Sequence, residues 1–225
     1  MPKTPGQGQR TGRRSNPALV PGRLARDKKG AQEHGARLAF LDESGFSERP
    51  PVRTTWSPKG VTPVIRHHFN WKRINAFGVI TCNPDGSDPD LLLSWQKESI
   101  DAESVARFLT ELKKQTEGPL VLLWDGLPAH RSKVVKVHIN AEQDWLTVRR
   151  LPAYAPELNP VEGLWSALKG KDLANFCSDT IEQVADRLDQ GVDRIRSDES
   201  ILRGFLAGST LFDRNTLVTN SHEGL

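Results

Sequence analysis

The sequence has little cysteine and no long apolar run. These two features exclude several classes of protein. Its only two cysteines, Cys82 and Cys177, lie far apart and in no metal-ligand spacing. A disulfide-stapled scaffold and a cysteine zinc site are therefore excluded, and we expect the reducing cytoplasm. No apolar stretch approaches the ~20 residues that a membrane-spanning helix needs. The first residues also lack the apolar core of a secretory signal.

Acidic residues are scarce at the start of the chain. Residues 1–30 contain eight lysines and arginines but a single acid, Asp27, whereas acids outnumber bases in the rest of the sequence. This segment is rich in glycine, proline and glutamine and poor in apolar residues, so we expect residues 1–34 to form a basic, disordered leader. Such a leader can bind polyphosphates, or it is only a solvated tail.

The remaining pattern predicts an α/β domain over residues 35–213, followed by a flexible tail over residues 214–225. A length of 225 residues with 36% hydrophobic and 26% charged residues suits one globular domain with a core. Apolar runs and 3.6-residue periodicity predict a mixed central sheet of about five strands flanked by helices. The predicted strands are 37–44, 73–82, 91–96, 119–126 and 144–152. A further hairpin-like pair is predicted at 53–60 and 61–69. The predicted helices are 101–118, 131–143, one from Pro160 and one from Thr180.

Two predicted strands end in an aspartate. The runs LAFLD and VLLWD place Asp42 and Asp125 after buried apolar residues. Ligands of open α/β sheets gather at the carboxyl ends of strands, so neighbouring strands would bring both carboxylates into one small space. Alternation along the strand favours Asp42 over Glu43 as the residue facing that space. The alternative is that each aspartate simply caps a turn.

Glu162 is a third acid with two possible roles. In NPVEGLWSALK, Asn159 is a good N-cap and Pro160 suits the first helical position, which makes Glu162 a candidate for a capping box. Glu162 also lies at the edge of the apolar stripe of this helix, with Lys169 on the same edge two turns later. The sequence leaves open whether Glu162 caps the helix, holds a ligand, or does both.

Three carboxylates from two strands and a helix suit the binding of hard divalent cations. Two magnesium ions roughly 3.5–4 Å apart can activate an attacking oxygen and stabilise a leaving oxygen in phosphodiester chemistry. Asp42 is the natural bridging ligand, with Asp125 and Glu162 on either side. We therefore predict a two-magnesium site, in which manganese can substitute.

Five segments, in order along residues 37 to 176, resemble the DDE transposases of the bacterial insertion-sequence and mariner superfamily. The segments are LDESGF, RTTWSPKG, FNWKRINAFGVI, LLWDGLPAH and YAPELNPVEGLWSALK. The resemblance implies a ribonuclease H-like fold and a metal-binding triad of Asp42, Asp125 and Glu162. Thirty-six residues separate Asp125 from Glu162, close to the usual gap of the family.

Two departures from the family pattern stand out. Many relatives carry an asparagine after the second aspartate, where this chain has Gly126. The family also has an N-terminal helix-turn-helix region that reads transposon ends, whereas this sequence offers only the basic leader. The sequence is expected to be a catalytic half, from a split element or a truncated copy.

Basic residues around the predicted site are candidates for contact with DNA. His130 and Arg131 could touch a phosphate, although His130 could equally begin the following helix. Lys169 and Lys171 could approach the DNA backbone or merely be solvated. The aromatic and basic run at 71–73 suits a nucleic-acid surface, although a tryptophan there more often packs. The DNA-binding candidates are His130, Arg131, Lys169, Lys171, Lys72 and Arg73.

The resemblance implies metal-dependent strand cleavage followed by strand transfer, as in cut-and-paste transposition. The expected partners are transposon-end and target DNA, a second copy of the chain, and a separate or frameshift-fused helix-turn-helix half. Two alternatives remain: a standalone nuclease of the same fold, and a non-catalytic, truncated DNA-binding fragment.

Overall fold

The computed structural model describes residues 19–66, 71–152 and 155–212. Five strands and six α-helices form this part of the chain. In chain order they are α1 (Leu19–Glu33), β1 (Arg37–Ser47), β2 (Arg73–Cys82), β3 (Asp90–Gln96), α2 (Ala102–Gln115), β4 (Leu120–Trp124), α3 (Lys133–Ala141), β5 (Leu146–Arg150), α4 (Val161–Ala167), α5 (Ile181–Arg196) and α6 (Glu199–Gly208).

The strands form one mixed sheet in the order β3-β2-β1-β4-β5. β1 and β3 each run antiparallel to β2, whereas β4 runs parallel to both β1 and β5. This arrangement confirms the predicted α/β class with about five strands. Each apolar run predicted as buried is a strand, and the amphipathic segments after residue 100 are helices.

Two apolar cores cover the two faces of the sheet. One core joins β1 and β2 to α2 and α3, and its large side chains include Phe77, Phe108 and Trp124. The other joins the opposite face to α4, α5 and α6 and includes Phe40 and Trp165. Because successive residues of a strand face opposite sides, neighbouring residues of β1 belong to different cores. This alternation decides which acids of β1 meet which helices.

The prediction of a disordered leader is wrong for residues 19–33, which form α1. Ala31 is buried against the core, Lys28 lies 3.9 Å from the ring centre of Phe212, and Asp27 pairs with Arg149 at 3.1 Å. Contacts with residues more than 100 positions away thus hold a helix that local composition does not favour. The folded part therefore extends back at least to residue 19, and residues 1–18 lie outside the described residues.

The predicted hairpin over 53–69 is also wrong in its strands. Val61 N–H donates to the Pro58 carbonyl, so the turn lies where it was predicted. The described residues 53–66 contain no strand, and Trp56 is fully exposed. The backbone of Arg53 is instead paired with the Asn175 side chain, which accepts from the Arg53 amide at 2.8 Å and donates to its carbonyl at 3.0 Å. Residues 67–70, and the tail predicted over 214–225, lie outside the described residues, as does residue 213.

Among the described residues, no helix is long and apolar enough to cross a membrane.

Candidate metal centre

The sheet forks between β1 and β4. Their parallel pairing ends after four residue pairs, because β4 stops at Trp124 while β1 continues to Ser47. The sequence predicts Asp42 at the end of a strand, but β1 continues beyond it to Ser47. Asp125 is the first residue after β4. Extending the pairing by two residues would set Asp42 beside Asp125. The open side of β1 beyond the fork is one wall of a cleft.

The three predicted acids line this cleft, which has a volume of about 750 Å³. Glu162 reaches it from the first turn of α4, so two strands and a helix each supply one carboxylate, as the sequence predicts. The other polar side chains that line it are Arg131, Arg150 and Asn159.

Asp42 is held by Trp165, a residue that sequence reasoning assigned only to the core. The indole Nε1–H of Trp165 donates to Asp42 Oδ2 at 2.9 Å. Gly78 of β2 pairs with Asp42 of β1. The Trp165 ring occupies the space that a side chain at Gly78 would fill. Burial raises the pKa of Asp42, the Trp165 hydrogen bond opposes the rise, and the charges of Glu43 and Glu162 add to it. The resulting pKa is about 7.

This raised pKa makes the metal-free protein less stable as pH rises. The unfolded Asp42 carboxyl releases its proton near pH 4, whereas the folded one keeps it up to about pH 7. The folded state therefore binds more protons at Asp42 between these values, so the contribution of Asp42 to stability falls from pH 4 to 7 and then levels off. In metal-free buffer at pH 8, we expect Asp42→Asn to be more stable than wild type by on the order of 1–3 kcal/mol.

Thermal unfolding at pH 5 and pH 8 measures this difference. The advantage of Asp42→Asn should grow between the two values, and Mg²⁺ should stabilise wild type more than the variant at pH 8. A variant that unfolds below wild type at pH 8 without metal would show that the Asp42 charge is well tolerated in the folded state.

The start of the helix that carries Glu162 is hydrogen-bonded by the Asn159 side chain and not by Glu162. Asn159 Oδ1 accepts the Val161 amide at 3.2 Å, whereas the Asn159 amide donates to the Pro156 carbonyl. A capping box would need that amide for Glu162, so the box is absent. Within the described part of the chain, the Glu162 carboxylate makes no hydrogen bond or ion pair. Its exposed side chain is thus available to a ligand in the cleft.

Asp125 is held from the opposite face of the sheet. Its Oδ1 accepts the Leu127 amide at 3.0 Å and lies 3.1 Å from His130 Nδ1. The same ring nitrogen is hydrogen-bonded to the Asp125 carbonyl oxygen at 3.2 Å. His130 Nε2 lies 2.7 Å from Glu43 Oε1. Burial disfavours the ionised form of Asp125, but the bonds from His130 and Leu127 outweigh it and hold the pKa of this carboxyl below its ordinary value.

Glu43, Asp125 and His130 form a tighter cluster than the predicted triad. Ligand-type atoms of these three residues all lie within 4.8 Å of one another. Burial disfavours the imidazolium of His130, but its bonds to Asp125 and Glu43 outweigh this cost and raise its pKa to about 9. The His130 ring is 2% exposed and stacks on Trp124, and both its nitrogens already lie within hydrogen-bond distance of protein oxygens. We therefore assign this cluster to a charged hydrogen-bond network and not to a metal site.

The predicted triad, by contrast, fits a hard divalent cation. It offers carboxylate oxygens only, in an open cleft, and the pKa of Asp42 is raised even though Lys169 lies nearby. Mutual repulsion of the acids contributes to the raised pKa of Asp42, and a bound cation would reverse that effect. The donor set thus matches the chemistry of magnesium or manganese.

The six predicted DNA contacts are placed very differently. Arg131 is exposed in the cleft wall. Lys169 is half-buried and donates to Ser44 Oγ at 2.6 Å, whereas Lys171 is exposed. Lys72 and Arg73 are exposed and lie outside the cleft, near the far end of β1, since Ser47 pairs with Arg73.

The prediction that His130 contacts a phosphate is wrong, because the side chain is buried. The residue is 2% exposed, and its ring stacks on Trp124 with centroids 4.0 Å apart. It lies in a short 3-10 helix over Ala129–Arg131 and does not begin or cap α3, whose N-cap is Ser132. His130 acts on the Asp125 side chain instead of facing solvent.

Comparison with known proteins agrees with this architecture. The family model described as DDE superfamily endonuclease matches residues 37–184, which include all three acids. No curated protein matches the sequence.

Solved structures with a similar fold include several of the Mos1 mariner transposase. The Mos1 strand transfer complex matches with a TM-score of 0.63 and 18% identity over 100% of this chain and 68% of the Mos1 chain. The Mos1 catalytic domain matches with a TM-score of 0.57 and 14% identity over 92% and 96% of the two chains. The same domain with raltegravir and Mn matches with a TM-score of 0.57 and 16% identity over 95% and 100%. These matches confirm the expected ribonuclease H-like fold, and the chain belongs to the DDE superfamily endonuclease family.

Proposed function

We propose that this chain is a transposase catalytic domain that performs metal-dependent DNA cleavage and strand transfer. The observation that supports it most is the convergence of Asp42, Asp125 and Glu162 on one open cleft at the fork of the sheet. All three lie within the segment that matches the DDE superfamily endonuclease model. Neither a buried core nor a set of helix caps needs this arrangement.

The three acids would hold two magnesium ions, or manganese in their place. Bound ions of this kind activate an attacking oxygen and stabilise a leaving oxygen at a phosphodiester. The role of the protein is to present ionised oxygens at fixed positions. Trp165 orients Asp42 through its indole N–H, and Asn159 fixes the start of the helix that carries Glu162.

Basic residues of the cleft would hold the DNA backbone. Arg131 and Arg150 line the same space as the acids, so both can approach a phosphate beside the scissile one. Lys169 lies close enough to Asp42 and Glu162 for their charges to oppose the lowering of its pKa by burial. These three cations surround the acids and favour a polyanionic substrate over a neutral one.

The larger assembly is part of the same proposal. Cut-and-paste transposition joins two DNA ends to a target, so we propose that two copies of the chain act together in the cytoplasm. End recognition would come from a separate or frameshift-fused helix-turn-helix half. The Mos1 structures include a strand transfer complex and a paired-end complex, which supports transposon-end DNA as the partner.

Two DNA assays test this function with purified protein. We expect nicking of supercoiled plasmid in Mg²⁺ or Mn²⁺, and none in EDTA. With duplexes copied from the DNA that flanks the coding region, we expect a labelled 3′-hydroxyl end to join to plasmid. Asp125→Asn should lose both activities by on the order of 10³-fold, because metal ions supply several kcal/mol to the transition state.

The outcomes separate the rival functions. Nicking without joining on any flanking duplex would favour a standalone nuclease. DNA binding that persists in wild type and Asp125→Asn alike, with neither activity, would favour a non-catalytic fragment.

A further inference from the structure

His130 and Glu43 form a buried link to the back of Asp125. The side chains of His130 and Glu43 are 1% and 7% exposed, whereas that of Asp125 is 45% exposed at the cleft. Glu43 and His130 therefore connect the buried side of the sheet to Asp125, which is the only one of these three residues that faces solvent. Because Glu43 follows Asp42 in β1, adjacent residues of one strand act on opposite faces of the sheet.

The link leaves one oxygen of Asp125 for the cleft. Oδ1 accepts the Leu127 amide at 3.0 Å and lies 3.1 Å from His130 Nδ1, which also lies 3.2 Å from the Asp125 carbonyl oxygen. Among the residues that the structure describes, Oδ2 accepts no hydrogen bond. The two carboxylate oxygens are thus distinguished by their surroundings, and Oδ2 is the one presented to a ligand.

The ring of His130 has little freedom to turn. It lies parallel to the Trp124 indole, with an interplanar angle of 2°, and Nε2 is tied to Glu43 Oε1 at 2.7 Å. The other oxygen of Glu43, Oε2, is buried without a hydrogen-bond partner in the described structure. A buried carboxylate with an unsatisfied oxygen is costly for stability alone. Its retention suits a residue kept for its effect on His130.

We propose that His130 is a positioning residue that fixes the Asp125 carboxylate for metal binding, with Glu43 as its anchor. This rests on the proposed function, because it assigns a purpose to the Asp125 geometry only if Asp125 binds a cation. Neither His130 nor Glu43 touches DNA or the metal in this role. Their effect passes through the orientation of one carboxylate.

Two substitutions of His130 separate positioning from packing. His130→Asn places an amide N–H where Nδ1 stands and so keeps a donor to Asp125. His130→Gln places its amide where Nε2 stands, which keeps the bond to Glu43 and loses the donor to Asp125. Both remove the ring that stacks on Trp124, so both should lower the melting temperature to a similar extent.

Manganese binding gives the readout, measured as loss of the free Mn²⁺ electron paramagnetic resonance signal. We expect His130→Gln to weaken Mn²⁺ binding about 10- to 100-fold, in the range typical of residues behind a metal ligand. His130→Asn should retain most of the wild-type affinity. Val135→Ala, a truncation of a buried α3 side chain that has no hydrogen-bonding group, should lower the melting temperature without changing Mn²⁺ affinity.

A second pair tests the anchor. Glu43→Gln keeps an acceptor for Nε2, whereas Glu43→Leu removes it, so Glu43→Leu should bind Mn²⁺ more weakly. Equal Mn²⁺ affinity across both pairs and wild type would overturn the positioning role and leave the proposed function intact. Equal losses in His130→Asn and His130→Gln would reduce His130 to a packing residue. If wild type itself binds no Mn²⁺, the proposed function fails, and the positioning role fails with it.

Discussion

Replacing Glu162 by glutamine should abolish metal-dependent nicking and leave the fold intact. The substitution keeps the size of the side chain but removes the charge that would bind a cation. The expected loss is on the order of 10³-fold or more, since a metal ion supplies several kcal/mol of transition-state stabilisation. Stability should change little, because Asn159 accepts the first amide of α4 and the Glu162 carboxylate makes no hydrogen bond within the described residues.

The measurement compares plasmid nicking and melting temperature in wild type and Glu162→Gln. Glu157→Gln is the matched control, since Glu157 is an exposed acid in the preceding 3-10 helix and does not line the cleft. It should nick DNA at the wild-type rate. Full activity in Glu162→Gln would remove Glu162 from the metal site, and a large drop in its melting temperature would instead indicate a structural role.

Gly78→Ala should both destabilise the protein and impair catalysis. An alanine Cβ at this position would lie 2.6 Å from the Trp165 ring and 3.1 Å from Leu164, which is closer than side chains pack. Overpacking of this kind costs about 1–3 kcal/mol. Because the displaced ring also carries the N–H that binds Asp42, we expect activity to fall further than stability alone explains.

The melting temperature and the nicking rate at a temperature where the variant is folded separate these two effects. Gly45→Ala serves as the control in β1, since its Cβ would meet its nearest neighbour at an ordinary 3.7 Å. A Gly78→Ala protein with wild-type activity when folded would mean that the Trp165 hydrogen bond does not matter for Asp42.

The sequence predicts the sheet well where strands are buried on both sides. The runs that became β1, β2 and β4 are short, apolar and bounded by turn residues, so local pattern and final environment agree. Prediction fails at α1 and at residues 53–66. The first depends on distant partners such as Phe212 and Arg149, and the second is held at Arg53 by Asn175, 122 positions later. Neither fact is local to the segment.

The site shows the same division. Asp42 and Asp125 could be predicted from their places after apolar runs, and alternation separates Asp42 from Glu43. The role of Trp165 could not be predicted from the sequence. A tryptophan at helical spacing gives the same pattern whether its indole N–H binds an acid or its ring only packs in the core. Nor does any local signal link His130 to Glu43, which is 87 positions earlier. The positions of the three acids can be predicted from the strands and the helix that carry them. The side chains that hold these acids can be known only from the tertiary packing.

Asn159 has a consequence for how the site moves. Its buried carboxamide joins the start of α4 to β1, since Nδ2 lies 3.4 Å from the Leu41 carbonyl and Oδ1 accepts the Val161 amide. Asp42 and Glu162 are neighbours of these joined residues, so both acids depend on the position of β1. Asp125 is tied to the same strand by another route, through His130 and Glu43. A shift of β1 would therefore move all three acids together and preserve the spacing between them.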